Sequence, residues 1–337
     1  TVITVLSGLI VLGGFSIALM IPLLFVSRFL LGAFQGPLFP ATAGGVIARW
    51  FPSGSWALPN GMTSTALALG SASTPPIIVY LAEYFGWEST FFLISILGVI
   101  GALIWWKYST NWPTEHPDIN REELELIGQS DFNNNQMSWP LIKEVLTNKD
   151  VLFTALGYMS MNYVFFIFYS WIFIYFVTIR GFNMLEGSLL ASLPFLMGAI
   201  GATCGGFLCD RLQMRYGVTW GHRIPIIIGL IPSAGFLLFG SITENPYLAV
   251  LSLSLCYGFI ELTEGPFWST IGFISDKPQA AGGILNTGGN LGGVLATPLI
   301  PIMVAQYDWV IALNTGGVFA FLGVLFFMQV KFKEADE

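Results

Sequence analysis

The sequence predicts an all-α membrane protein, and three observations carry that prediction. Of 337 residues, 54% are hydrophobic and only 10% charged, where a soluble domain carries about 25% charged residues. Long stretches hold no Asp, Glu, Lys or Arg, among them 50 to 82, 151 to 179, 278 to 307 and 309 to 330, and most reach the roughly 20 residues a helix needs to cross a bilayer. These stretches are continuously apolar instead of alternating with polar residues, so backbone groups in lipid are satisfied within helices and not in a barrel.

Ten spans follow, at about 2–18, 20–49, 57–83, 87–107, 151–178, 185–210, 224–242, 246–273, 280–305 and 309–330. With the connection after the second span on the cytoplasmic side, alternation puts Arg49, Lys107, Arg121, Lys143, Lys149, Arg211, Arg215, Arg223, Lys277, Lys331 and Lys333 at cytoplasmic ends or loops. Only Arg180 falls outside, and Arg28 lies within the membrane. This positive-inside bias places the linker and the C-terminus in the cytoplasm and supports the span count. The net charge of −7 argues against nucleic acid as a partner.

Residues 107 to 150 form the clearest hydrophilic stretch, with an amphipathic helix expected near INREELELI. It divides the chain into an N-terminal bundle, residues 1–107, a cytoplasmic linker, 108–150, and a six-helix C-terminal bundle, 151–337. An internal repeat relates the two bundles. At a constant offset of 222, GMTSTALALGSASTPPIIVYLAEYFGW aligns on GILNTGGNLGGVLATPLIPIMVAQYDW, pairing Gly61 with Gly283, Thr65 with Thr287, Gly70 with Gly292, Pro76 with Pro298 and Trp87 with Trp309. If the halves correspond, six spans after the linker imply six before it, and two further spans are expected ahead of Thr1. Ten of twelve helices would then be present.

An enzyme is not expected. Cys204, Cys209 and Cys256 have no paired spacing and no histidine nearby, so they read as small packing residues. His116 and His222 fall in predicted cytoplasmic loops where no nucleophile and base can be placed together. No metal site or cofactor is expected either.

Several stretches resemble the major facilitator superfamily and, within it, the anion:cation symporter family of sugar-acid and organic-anion carriers. They are RFLLGAFQGPLFPATAGGVIARWFP in the second span, WPTEHPDINREELELI in the linker, GFLCDR with Arg223 downstream, and GGILNTGGNLGG in the ninth span. The resemblance implies two bundles related by an axis along the membrane normal, with substrate bound near the midplane between them. It implies a monomeric secondary active transporter of the cell membrane, most simply a bacterial inner membrane, taking up a small organic anion with a coupling proton. Family members commonly carry a glutamate seven residues after the arginine that corresponds to Arg28, and this chain has Gln35 there, so another carboxylate would have to titrate.

Depth and spacing point to the candidate site residues. Arg28 sits about ten residues into the second span, where a charge costs roughly 2.5–3.5 kcal/mol on insertion scales. Gly32 and Gln35 share its helix face, which suits a cavity wall receiving a carboxylate through the guanidinium fork. A buried ion pair within the N-terminal bundle is the alternative. In YGFIELTEGPFWS, Glu261 and Glu264 lie three apart with Trp268 four further on. Two carboxylates so close at membrane depth cannot both ionise cheaply, so one keeps a proton unless a cation such as sodium intervenes. Asn286 and Asn290 at i and i+4 are candidates for hydrogen bonds to substrate. Asn162, Tyr163, Tyr169 and Trp171 offer aromatic faces with polar edges, although packing alone accounts for such stripes. Asp210 with Arg211, Arg215 or Arg223 would form a salt-bridge latch at the cytoplasmic gate. A carrier or exporter of neutral or cationic solutes remains the alternative function, because two membrane glutamates outnumber one arginine.

Overall fold

Side-chain caps and prolines set where the helices begin. In this computed structural model, which describes residues 1–36, 38, 42–52, 55–127 and 139–332, the described elements are helices and turns. The long helices are α1 (Val2–Leu12), α2 (Ile17–Gln35), α3 (Ala57–Phe85) and α4 (Trp87–Tyr108), then two linker helices, α5 (Arg121–Ile127) and α6 (Trp139–Thr147). They are followed by α7 (Lys149–Thr178), α8 (Met184–Ile242), α9 (Pro246–Glu261), α10 (Glu264–Ile274), α11 (Pro278–Gln306) and α12 (Trp309–Phe327). Asn148, Asn183, Asn245 and Asp308 each accept backbone N–H bonds at the starts of α7, α8, α9 and α12, satisfying amides that the helix itself leaves unpaired.

The expected spans appear with four differences. With α9 and α10 taken together, eight described helical stretches are long and apolar enough to cross a membrane. One of them, α8, turns at Gly217 (φ 78°), a left-handed conformation that suits glycine, and Gly221 then packs against the backbone of Gln213. Its arms, 184–216 and 218–242, are the sixth and seventh expected spans. The first expected span is shorter than foreseen, because Gly13 and Gly14 (φ 64°) follow α1 and its 11 residues rise only about 16 Å. In the second, α2 runs to Gln35, and farther along a π-helical turn, Thr42–Ile47, leads into Ala48–Trp50. Pro37, Phe39 and Lys333 lie outside the described residues. The eighth span is broken into α9 and α10.

The linker divides its attachments. Its first part lies on the end of the second span, where Arg49 donates to the Asn111 carbonyl at 3.2 Å and stacks over Trp112. The expected helix is α5, closed by a capping box in which Asn120 and Glu123 exchange side-chain to backbone bonds. The second linker helix, α6, was not foreseen, and it belongs to the C-terminal helices: Val145 is in their core, Glu144 pairs with Lys277, and Asn148 donates to the Ile274 carbonyl.

The internal repeat is visible in the geometry. Helices α3 and α11 have 29 residues each and start 221 positions apart, and α4 and α12 start at Trp87 and Trp309, which the repeat pairs. The core lies in the C-terminal helices around Tyr163, Phe168, Tyr257 and Phe267. Two arginines hold its ends. Arg180 donates to the Gly240, Ser241 and Thr243 carbonyls at the end of α8, and Arg223 to Met328 and Val330 just past α12, each a cation at a helix C-terminus.

Backbone contact between α8 and α9 is close. A Cβ on Gly201 would lie 1.9 Å from the Gly258 carbonyl oxygen, and one on Gly205 would lie 1.9 Å from that of Leu262. Such small-residue faces replace the hydrophobic drive that lipid does not supply. Gly205→Val is therefore expected to lose about 3 kcal/mol or more, read as a lowered thermal-unfolding midpoint in detergent. Gly70→Ala, where nothing lies within 4 Å of the added Cβ, leaves it unchanged or raised.

Candidate functional site

The break between α9 and α10 places two carboxylates at its edges. Pro266 has no amide hydrogen to give the Leu262 carbonyl, and Gly205 makes room for that carbonyl beside α8. Glu261 is thereby the last residue of α9 and Glu264 the first of α10. Both are buried, with 3% and 7% of their surface exposed. Broken helices near the middle of a span are where carriers of this architecture put polar backbone and ionisable groups.

The two carboxylates have different surroundings. Oε1 of Glu264 accepts from the Tyr158 hydroxyl at 2.7 Å and from the Trp268 indole N–H at 3.1 Å, and that N–H is also 3.1 Å from the Tyr158 oxygen. Asn162 sits one turn above Tyr158 and donates to its carbonyl. Oε1 of Glu261 is buried and accepts no hydrogen bond, and the hydroxyl of Tyr257 is its polar neighbour. Phe165, Phe168 and Phe195 surround the Tyr257 ring.

Next to this pair, the N-terminal and C-terminal helices meet. The Ala57 carbonyl oxygen, at the start of α3, would lie 2.6 Å from a Cβ on Gly206 and 2.7 Å from one on Gly265, so both glycines cradle it. Farther along α3, Gly61 faces the Ala202 carbonyl, and Thr65 shares a 2.7 Å hydroxyl contact with Thr203. Asp210 closes the same junction: its carboxylate accepts the amides of Ala57 at 3.2 Å and Leu58 at 2.9 Å. This corrects the expected arginine pairing. Unpaired amides and the positive end of the α3 dipole attract the anion, while Arg211 and Arg215 lie over Phe207 and Tyr216, and Arg223 is engaged at the end of α12.

The remaining expected residues are dispersed. Arg28 is exposed on α2 and lies over the Phe91 ring of α4 at 5.7 Å, and Gln35 is exposed on the same helix. Among the described residues, Lys277 with Glu144 is the ion pair found, so the structure does not bring Arg28 to the glutamates. Asn286 bridges the halves by donating to the Gly36 carbonyl at 2.9 Å. Asn290 is exposed and donates to the Asn286 carbonyl of its own helix. Tyr163 is a packing residue, stacked on Phe319 and bonded to Thr315. Tyr169 is exposed against Phe165, and Trp171 keeps a buried indole N–H without a partner. The three cysteines are free thiols.

His222 requires a correction. It is fully buried in the second arm of α8 instead of lying in a loop, and its Nε2 is 2.9 Å from the Ser269 hydroxyl. Nδ1 donates to the Val218 carbonyl, and Phe273 and Phe332 cover the ring, so the pair fastens α8 to α10 in a site closed to substrate. Sequence reasoning also missed Tyr158 as a partner of Glu264; its i, i+4 spacing to Asn162 was the available signal.

The sequence profile of the Major Facilitator Superfamily matches residues 1–282. This chain belongs to the Major Facilitator Superfamily. It is 33% identical over 313 residues to the probable galactarate/D-glucarate transporter GudP of Bacillus subtilis, covering 88% of this chain and 67% of that protein. It is 29% identical to the hexuronate transporter of the same organism, over 91% of this chain and 73% of that one. Against the probable galactarate/D-glucarate transporter GarP of Escherichia coli K12 the identity is 30%, over 82% and 65%. The chain thus spans about two thirds to three quarters of the length of these relatives, which are named transporters and not enzymes. The fold is similar to the crystal structure of the transporter FucP in its outward conformation, with a TM-score of 0.64 at 14% identity, covering 93% of this chain and 77% of that one. It is also similar to a bacterial homologue of the lysosomal transporter Spinster, facing inward and unoccupied, with a TM-score of 0.56 at 14% identity over 99% and 82%.

Removing the Asp210 carboxylate costs the α3 cap, about 1 kcal/mol, or roughly a fivefold change in a closed-to-open ratio. Asp210→Ala, in a background without native cysteines, is expected to speed maleimide labelling of Thr203→Cys at the α3 junction by about that factor, and unchanged labelling would show that Asp210 does not hold the contact.

Proposed function

We propose that this protein is a secondary active transporter that takes up a small organic anion, a sugar acid of the aldarate or hexuronate kind, together with protons. The observation that carries the reading is the buried pair Glu261 and Glu264 at a break in a membrane-spanning helix. A protein with no need of ionisable groups in hydrocarbon would not keep two there at a cost of several kcal/mol. The relatives named as carriers of galactarate, D-glucarate and hexuronate supply the substrate class.

In this reading the N-terminal helices, residues 1–107, and the C-terminal helices, 151–337, rock about a central site, with 108–150 as a cytoplasmic linker. The preponderance of Lys and Arg at the linker end supports a cytoplasmic position for that end and for the C-terminus. The Asp210 cap and the Gly206 and Gly265 cradle on α3 form a contact that must part for the cytoplasmic side to open; Arg211, Arg215 and Arg223 attend that gate. Arg28 neutralises substrate carboxylate with its planar fork. Gln35, Asn286 and Asn290 donate hydrogen bonds to its hydroxyls, and Tyr169 and Trp171 flank it, the free indole N–H of Trp171 being available to an acceptor. The carboxylate pair takes up the coupling proton, or sodium if clustered oxygens hold that ion instead. The separation of Arg28 from the glutamates favours a second reading, in which a neutral or cationic solute is carried.

The two readings separate in proteoliposomes. Labelled D-glucarate uptake is expected to rise as the external pH falls, to drop at least tenfold in Arg28→Ala, and to recover in part in Arg28→Lys. Uptake of neutral sugars or cations with none of any sugar acid would replace the first reading with the second.

A further inference from the structure

Glu261 and Glu264 lie three positions apart across a helix break, and three independent features of the break treat them oppositely. The first is hydrogen bonding. Glu264 Oε1 takes two bonds, from Tyr158 at 2.7 Å and Trp268 at 3.1 Å. An indole N–H can only donate, and 2.7 Å is in the range of an O–H donor on an ionised oxygen. Glu261 has one polar neighbour, the Tyr257 hydroxyl, and its Oε1 is buried and accepts nothing, a bare oxygen that a neutral carboxyl tolerates far better than a carboxylate.

The second feature is the backbone field. Glu264 is the first residue of α10 and Glu261 the last of α9. A helix start carries partial positive charge and a helix end partial negative charge, so the first favours an anion and the second opposes one. The third is packing. A Cβ on Gly198 would lie 3.0 Å from the Glu261 Cγ and 2.5 Å from the Tyr257 ring, so α8 packs a close apolar face against Glu261. The ionisable groups beside the pair are Tyr257 on α9, next to Glu261, and Tyr158 on α7, bonded to Glu264, with Tyr169 of α7 near Tyr257; the α8 surface against them, Phe195, Met197, Gly198 and Gly201, has none.

We propose that the helix break sorts the pair, with Glu261 as the site of the exchangeable proton and Tyr158 and Trp268 as positioning residues that hold Glu264 in its ionised form. This rests on the reading of the pair as the coupling site. The step is a proton exchange: one Glu261 oxygen gains a proton from water on one side of the membrane and returns it to water on the other, with Tyr158 keeping its own. Glu264, adjacent to Gly265 in the α3 cradle, supplies a fixed negative charge that makes the proton on Glu261 necessary.

Infrared spectra of the purified protein at neutral pH locate the proton without any transport. The carbonyl stretch of a protonated buried carboxyl is expected in the parent and in Glu264→Gln, and lost in Glu261→Gln. Tyr158→Phe, which keeps the ring, should bring in a second such band at a pH about one unit higher than in the parent, since a hydrogen bond to a charged group is worth about 1.5–3 kcal/mol. A band that survives Glu261→Gln and disappears in Glu264→Gln overturns the assignment, as does its absence from the parent; an unmoved titration in Tyr158→Phe overturns the positioning role even where a glutamine variant fails to fold. In proteoliposomes that carry D-glucarate, Glu261→Gln is expected to keep counterflow and lose pH-driven accumulation. Failure of the parent to carry any sugar acid would count against the proposed function and leave the infrared result standing.

Discussion

The close approach of α8 to α9 and α10 is the constraint on which the rest of the molecule depends. Within hydrocarbon, a backbone carbonyl that loses its helical donor must be accommodated by protein. Pro266 removes the donor for the Leu262 carbonyl, and Gly205 lets that carbonyl sit against α8. The helix can therefore break between Glu261 and Glu264 without either end meeting lipid. The Gly201 contact with Gly258 one turn earlier keeps the two helices at that distance.

The same geometry ties the carboxylates to the contact between the N-terminal and C-terminal helices. Glu264 is followed by Gly265, which with Gly206 holds the Ala57 carbonyl, and Asp210 caps the helix that Ala57 begins. Packed backbones transmit small displacements because they have few intermediate arrangements. His222 against Ser269, and Arg223 against the end of α12, tie the surrounding helices together.

The linker illustrates how composition and packing divide the work. Its hydrophilic character and the capping box at Asn120 and Glu123 were legible as residues in order. That α6 fastens to the C-terminal helices through Glu144, Val145 and Asn148, while Arg49 holds the earlier part to the second span, is a matter of which surfaces meet.

Composition and hydropathy by themselves determined that the chain is helical and spans a membrane, because a bilayer admits few other solutions for an uncharged run of twenty residues. The offset of 222 determined that α3 and α4 recur as α11 and α12. The two glutamates were legible as costly and therefore consequential. What the tertiary structure decided is who faces them: Tyr158 and Trp268 for Glu264, the Tyr257 hydroxyl and an apolar wall for Glu261, and for Asp210 the amides of a distant helix in place of the arginines next to it in sequence. Arg28, the most conspicuous charge in the sequence, lies over Phe91. Depth in the membrane is a property of position along the chain, whereas a partner for a buried charge is found across helices, and no spacing rule within one helix can supply it.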